Sequence, residues 1–202
     1  MKNFFAILIC LGLYAPQVFG EDQVAIFAGG CFWCMQPPFD KLANEGVTST
    51  KVGYTGGSKE QPTYEETSAG GTGHREAIEV SFDPKKISYK KLLDIYWANI
   101  DPLDAKGQFC DKGEQYTSAI FYTGEEQKKA ALASQVELEK NPKFKGKIAT
   151  LVLPAKKFYV AEEYHQSYYK KNPIRYKFYR FNCARDKRLL ELWGKNTQAP
   201  SH

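Results

Sequence analysis

Apolar positions along the chain fall into short alternating runs separated by longer stretches of helical period. Residues 24–28 form an apolar run, and 47–54 and 76–82 alternate β-formers with smaller or polar residues, so all three predict strands. In the third, Ala77, Glu79 and Ser81 stand against Ile78, Val80 and Phe82. Residues 115–122 and 148–153 predict two more strands. Helical spacing lies between them. Phe39 and Leu42 mark 32–46, although Pro37 and Pro38 argue for a kink or for a regular part starting nearer Met35. Leu92, Leu93, Tyr96 and Trp97 make an apolar stripe in 89–99, with Ser88 as its N-cap. Thr123 and Glu126 read as a capping box for a charged helix reaching about residue 140, and 164–171 predicts a last helix. Residues 58–73, with a turn of helix after Pro62, and 101–113 are long loops of the kind that carry function. Strands and helices interleave, with some connections short enough for antiparallel partners. The expected fold is α+β: a single-domain two-layer sandwich, its mixed or antiparallel sheet covered by helices mainly on one face.

The first twenty residues break this pattern. Lys2 precedes an uncharged apolar segment from Phe4 to Ala15, and Val18 and Gly20 occupy the small-residue positions of a cleavage site. This predicts a secretory signal over 1–20, too short for a comfortable membrane span, and an exported, periplasmic or secreted domain over 21–202. The full chain has 202 residues, 43% hydrophobic and 25% charged, which is enough to bury one core. Its formal charge is +5. Much of the excess lies in a basic C-terminal tail, about 172–202: between 170 and 188 there are eight Lys or Arg and one Asp, interleaved with Tyr and Phe. Export argues against nucleic acid as the partner, and after signal cleavage nothing argues for stable membrane association. A solvated basic face is the expectation.

Chemistry concentrates where the first strand ends. Gly29-Gly30-Cys31-Phe32-Trp33-Cys34 places a thiol at a helix start, where unpaired N–H groups and the helix dipole favour thiolate. Four cysteines follow the leader: Cys31, Cys34, Cys110 and Cys183. Four are few for a disulfide scaffold of this length, so redox chemistry is the better reading. Acids and phenols sit in glycine-bounded loops: Tyr64 after Pro62, Glu76 after Gly73-His74-Arg75, and Asp111 and Tyr116 around Gly113. His165 and His202 have no ligand-like spacing with the cysteines, so no metal site is expected.

Together these segments resemble the peptide methionine sulfoxide reductases of the A class, specific for the S epimer. The likeness rests on Gly30-Cys31-Phe32-Trp33, Gly53-Tyr54-Thr55-Gly56-Gly57, Pro62-Thr63-Tyr64, Gly71 to Ala77, Gly113 to Ile120 and Asn172-Pro173. It implies that Cys31 attacks the sulfoxide sulfur and that Glu76 protonates its oxygen, a carboxyl suited to this if burial raises its pKa. Tyr64 and Tyr116 would hydrogen-bond that oxygen, Phe32 and Trp33 would wall the methyl group, and Asp111 would hold the rest of the substrate or order water. Cys31 would be left as a sulfenic acid. No cofactor would be bound, and a thioredoxin-like donor would return the electrons. His74 would be structural. Regeneration needs a second thiol. Cys183 in the tail is the first candidate, then Cys34, then Cys110, with direct reduction also open. Two readings from other classes remain. One is a thiol–disulfide exchange protein using Cys31-x-x-Cys34. The other is a secreted binding module stapled by its cysteines. Neither explains Tyr64, Glu76 and Tyr116.

Overall fold

A computed structural model describes residues 22–194. Residues 1–20, read above as a secretory signal, and the end of the tail, 195–202, lie outside the described residues. Strand β1 (Gln23–Ala28) runs through the middle of a sheet. It pairs antiparallel with β3 (Arg75–Phe82) on one side and with β6 (Ala119–Tyr122) on the other. Beyond β3 lie β2 (Val47–Thr55) and the two-residue β8 (Tyr159–Val160), both antiparallel; beyond β6 lies β7 (Leu151–Pro154), which is parallel. The sheet is therefore mixed, in the order β7–β6–β1–β3–β2–β8. A separate hairpin joins β4 (Gly107–Gln108) to β5 (Asp111–Lys112).

The period-2 pattern sorts side chains between the two faces. Ala25, Phe27, Ile78, Val80, Phe82 and Ile120 point to one side, where they pack under helices α1 (Phe32–Asp40), α3 (Tyr89–Ala98) and α4 (Glu125–Glu139). Phe27 stacks on Phe39 and Tyr96 at 5.5 and 4.9 Å between ring centroids. Full burial of such a side chain is worth about 1.5–3 kcal/mol. The opposite face is thinner: Ile26, Ala28, Ala77 and Phe121 pack beneath Leu153, Ala155 and Phe158. This is the one-sided α+β sandwich that the sequence predicts.

Several local elements differ from expectation. Helix α1 begins at Phe32 and contains both prolines; it ends at Asp40, before a short 3₁₀ turn at Ala43–Glu45. The residue that caps α4 is Gly124, without a side-chain hydrogen bond, rather than Thr123. Gln127 does the work instead: its Oε1 accepts the Thr123 N–H at 3.1 Å and its Nε2 donates to the Val24 carbonyl at 2.8 Å, tying α4 to β1. The strand predicted from 115 starts only at Ala119, because Glu114–Tyr116 winds into a 3₁₀ turn. Residues 164–171 divide into a 3₁₀ turn (Glu163–His165) and the short α5 (Tyr168–Lys171). The turn of helix after Pro62 is α2 (Tyr64–Ala69), with a complete capping box between Thr63 and Glu66, a feature worth about 1 kcal/mol.

The tail departs most. It folds into α6 (Pro173–Asn182) and α7 (Arg185–Trp193); Arg175, Lys177 and Lys187 are solvated as expected, but two of its arginines are not. Arg180 and Arg185 are almost completely buried. Arg180 is paired with Asp186, and Arg185 donates to the carbonyls of Gly29 and Asn99 at 3.2 and 2.7 Å. Helices α6 and α7 thus lie against the loop that leads into Cys31.

Candidate active site

The site forms where β1 hands over to α1. Gly30 takes a φ of +80°, a left-handed value that suits glycine, and turns the chain so that Cys31 stands as the N-cap of α1. Tyr96 fixes the approach by donating its hydroxyl to the Ala28 carbonyl at 2.9 Å. Strand β3 enters from below: Glu76 lies opposite Tyr54 in the ladder and shares the helix-covered face with Ile78. Its carboxylate Oε2 accepts the Phe32 N–H at 3.0 Å, and the side chain is buried.

A small cavity of about 60 Å³ opens at this point. Its walls bring together the three expected residues of the first motif, Cys31, Phe32 and Trp33, with Glu76, Asp111 and the phenols of Tyr64 and Tyr116. These come from five separate segments. Glu162 sets Tyr64 by accepting its N–H at 2.9 Å while also accepting the Tyr54 hydroxyl at 2.9 Å. Gln115 sets Tyr116 by donating to the Ser68 carbonyl at the far end of α2, 3.0 Å away. His74, as expected, is outside the cavity and structural: it binds the Gly57 N–H through Nδ1 and the Lys59 carbonyl through Nε2.

Two further residues have no signal in the sequence. Tyr179, on α6, completes the cavity wall and donates to Asp111 Oδ2. His165 is buried behind the wall, where its Nδ1 accepts the Trp33 indole N–H at 2.9 Å. Trp33 also stacks on Tyr168 at 3.8 Å and meets Tyr179 edge-on at 5.8 Å, so its orientation is held from three sides. Neither Tyr179 nor His165 lies in a motif with the other site residues, and only the packing of the tail reveals them.

Electrostatics divide the groups into proton holders and charge holders. Burial pushes the Glu76 carboxyl up to about 8 against the pull of the Phe32 N–H, and the neighbouring Asp111 charge adds to the rise. Glu76 therefore carries a proton at neutral pH. Burial likewise raises Tyr64 and Tyr116, keeping both as hydroxyl donors. The helix start does not serve Cys31 in the expected way. The N–H that would face it, that of Phe32, is taken by Glu76, and Cys31 makes no side-chain cap bond. Burial raises the Cys31 thiol, and the neighbouring Cys34 thiol raises it further. The Cys31 thiol in turn lowers Cys34, and the Arg185 and Arg180 guanidiniums lower it further. The two thiols are thus shifted in opposite directions, Cys31 up and Cys34 down.

The other two cysteines are joined to each other: Cys183, expected to meet Cys31, forms a disulfide with Cys110, while Cys31 and Cys34 are both free thiols. The end of α6 is held at the Asp111 turn by that bond and folded there, so Cys183 is not on a loose tail.

A cavity that brings one buried free thiol together with a buried carboxyl and two phenols fits a thiol-dependent reductase. The family model for peptide methionine sulfoxide reductase matches residues 23–197. The peptide methionine sulfoxide reductase MsrA of Bacillus licheniformis is 50% identical over 175 residues, which are 87% of this chain and 96% of that protein. Among solved structures, Mxr1 from Saccharomyces cerevisiae in reduced form superposes with a TM-score of 0.69 at 35% identity, covering 76% of this chain and 87% of that one. Mxr1 in complex with Trx2 gives 0.50 at 28% identity, over 73% and 85% of the two chains. The chain belongs to the peptide methionine sulfoxide reductase family, and it is an oxidoreductase.

The buried carboxyl has a measurable cost. The folded-state pKa of Glu76 lies above the ordinary 4.5. Its stabilisation is thus complete below that value and is lost as pH rises towards 8, because only the unfolded chain ionises freely. Glu76→Gln should raise stability at neutral pH by on the order of 2 kcal/mol, a shift of several degrees in the thermal midpoint. At about pH 4 the gain should vanish. Equal midpoints for the two proteins at pH 7 would contradict a buried, protonated Glu76.

Proposed function

We propose that this chain reduces the S epimer of methionine sulfoxide, free or within proteins, in an exported compartment, with electrons from a thioredoxin-like dithiol. The observation that carries the reading is the placement of the Glu76 carboxyl, proton-bearing at neutral pH, in the same cavity as the Cys31 sulfur. A sulfoxide sulfur becomes a good electrophile only once its oxygen is protonated, and a carboxyl with a pKa near 8 can supply that proton.

In this scheme the sulfoxide methyl group packs against Phe32 and Trp33, while Tyr64 and Tyr116 donate hydrogen bonds to its oxygen. Asp111 holds the substrate beyond the sulfur. Cys31 passes its proton to the neighbouring Cys34 as its sulfur attacks, the sense in which the two thiols are shifted. Glu76 protonates the oxygen, the sulfur–oxygen bond breaks with transfer of oxygen to Cys31, and methionine leaves a sulfenic acid behind. Cys34 then attacks that sulfenic sulfur, hydroxide departs as water with the released proton, and a Cys31–Cys34 disulfide forms. Cys34 takes precedence over Cys183 as the resolving residue because it is a free, buried thiol in the first turn of the helix that Cys31 caps, whereas Cys183 is bonded to Cys110. A dithiol partner returns two electrons and two protons. The Mxr1–Trx2 complex supports a partner of the thioredoxin kind. No metal or bound cofactor enters the scheme.

With dithiothreitol as reductant, the wild type should turn over the S sulfoxide of N-acetylmethionine methylamide and leave the R epimer untouched. Cys31→Ser should show no turnover, and Glu76→Gln should slow the sulfoxide step by about 10²-fold. The rate of that step should fall as pH passes through about 8, where Glu76 loses its proton. Loss of neither epimer in wild-type assays, or full activity in Cys31→Ser, would refute the assignment. Mass mapping after one turnover without reductant should recover a Cys31–Cys34 peptide; a Cys31–Cys183 peptide would return the resolving role to the tail. For export, N-terminal sequencing of the secreted or periplasmic protein should begin at Glu21, and retention of residues 1–20 on a cytoplasmic product would reject it.

A further inference from the structure

Three consecutive residues of the β4–β5 turn are each held by the tail. The Arg185 guanidinium lies 4.3 Å above the Phe109 ring, Cys183 is bonded to Cys110, and Tyr179 donates its hydroxyl to Asp111 at 2.5 Å. The order is antiparallel, so residues 185, 183 and 179 run down the turn as 109, 110 and 111 run up it. The turn itself is tight, with Phe109 at a φ of +56°. On the tail side, Tyr179 and Cys183 are one helical turn apart, joined by the Cys183 N–H to Tyr179 carbonyl bond at 3.0 Å. The covalent link and the hydrogen bond therefore connect the same two segments side by side.

We propose that Tyr179 is a positioning residue for substrate binding: its hydroxyl fixes the Asp111 carboxylate at the cavity, and the Cys110–Cys183 bond keeps α6 in the place from which it does so. This rests on the reading of Asp111 as the group that holds the substrate beyond its sulfur. Asp111 is half-buried, so a carboxylate there needs a donor to stay charged and oriented. Burial keeps the Tyr179 phenol protonated and available as that donor. The ring of Tyr179 also meets Trp33 edge-on, which ties the methyl-binding wall and the carboxylate to one helix. Reduction of Cys110–Cys183 would release that helix end and loosen Asp111.

The test is single-turnover methionine release without reductant, on protein with Cys31 free and Cys110–Cys183 intact, against the S sulfoxide of N-acetylmethionine methylamide. Tyr179→Phe keeps the ring and removes the donor. It should raise the half-saturating sulfoxide concentration about tenfold and leave the saturated rate within about twofold. The same shift should follow from the double substitution Cys110→Ser and Cys183→Ser, and neither change should add to the effect of Asp111→Asn. A saturated rate that falls in step with affinity, or effects that add to Asp111→Asn, would overturn the proposal. Unchanged half-saturation in the bond-free variant would remove the disulfide from it. Wild-type protein that releases no methionine would instead defeat the functional reading, and a Tyr179→Phe protein matching an active wild type would defeat this proposal alone.

Discussion

One hydrogen bond joins the two halves of the site: the Phe32 N–H, first of helix α1, to the carboxyl of Glu76 on strand β3. It spends the helix-terminal donor that would otherwise face Cys31, and it holds an acid in a dry place. Both effects follow from the antiparallel β1–β3 pair, which sets the end of β1 beside the start of β3 and so brings residue 76 under the helix that starts at 32. The thiol pair is then left to settle its own charge. Cys34 is lowered first by its partner thiol and then by the two buried guanidiniums that the tail supplies on that side. Nucleophile, acid and counter-charge thus depend on a strand ladder, a helix start and a C-terminal extension fitting together.

The sequence was most legible where side-chain period and burial agree. Strand β3 reads directly from Ile78, Val80 and Phe82, and α3 from its Leu-Leu-Tyr-Trp stripe, because one face of each is fully buried. The cavity residues were legible through motif resemblance, since their chemistry requires those types in those loops. The geometry that unites them was not, because it depends on long-range pairing across five segments.

The tail was opaque for a specific physical reason. In α6 the usual arrangement is inverted: Ile174, Phe178 and Phe181 are exposed, while Tyr176 and Arg180 are buried. An apolar-inside rule applied to that stretch assigns the wrong face, and its positive charge reads as solvated surface. Burial of Arg180 and Arg185 is tolerated because Asp186 pairs with the first and backbone carbonyls receive the second. The helix cap at 124 was misread for a smaller reason, a glutamine side chain that reaches back to two backbone groups and replaces the expected threonine.

The narrowness of the cavity has a consequence for which damaged residues can be repaired. About 60 Å³ of space walled by fixed rings admits the tip of one side chain, and no neighbouring fold can enter with it. An oxidised methionine inside a folded client must first swing out on a locally opened segment before its sulfur reaches Cys31. The free energy of that opening then enters the apparent rate as a multiplying population factor. Repair speed becomes a readout of the client's own local stability. Frayed termini, loops and unfolded chains would be served first, and a sulfoxide locked in a rigid core would wait for its host to breathe.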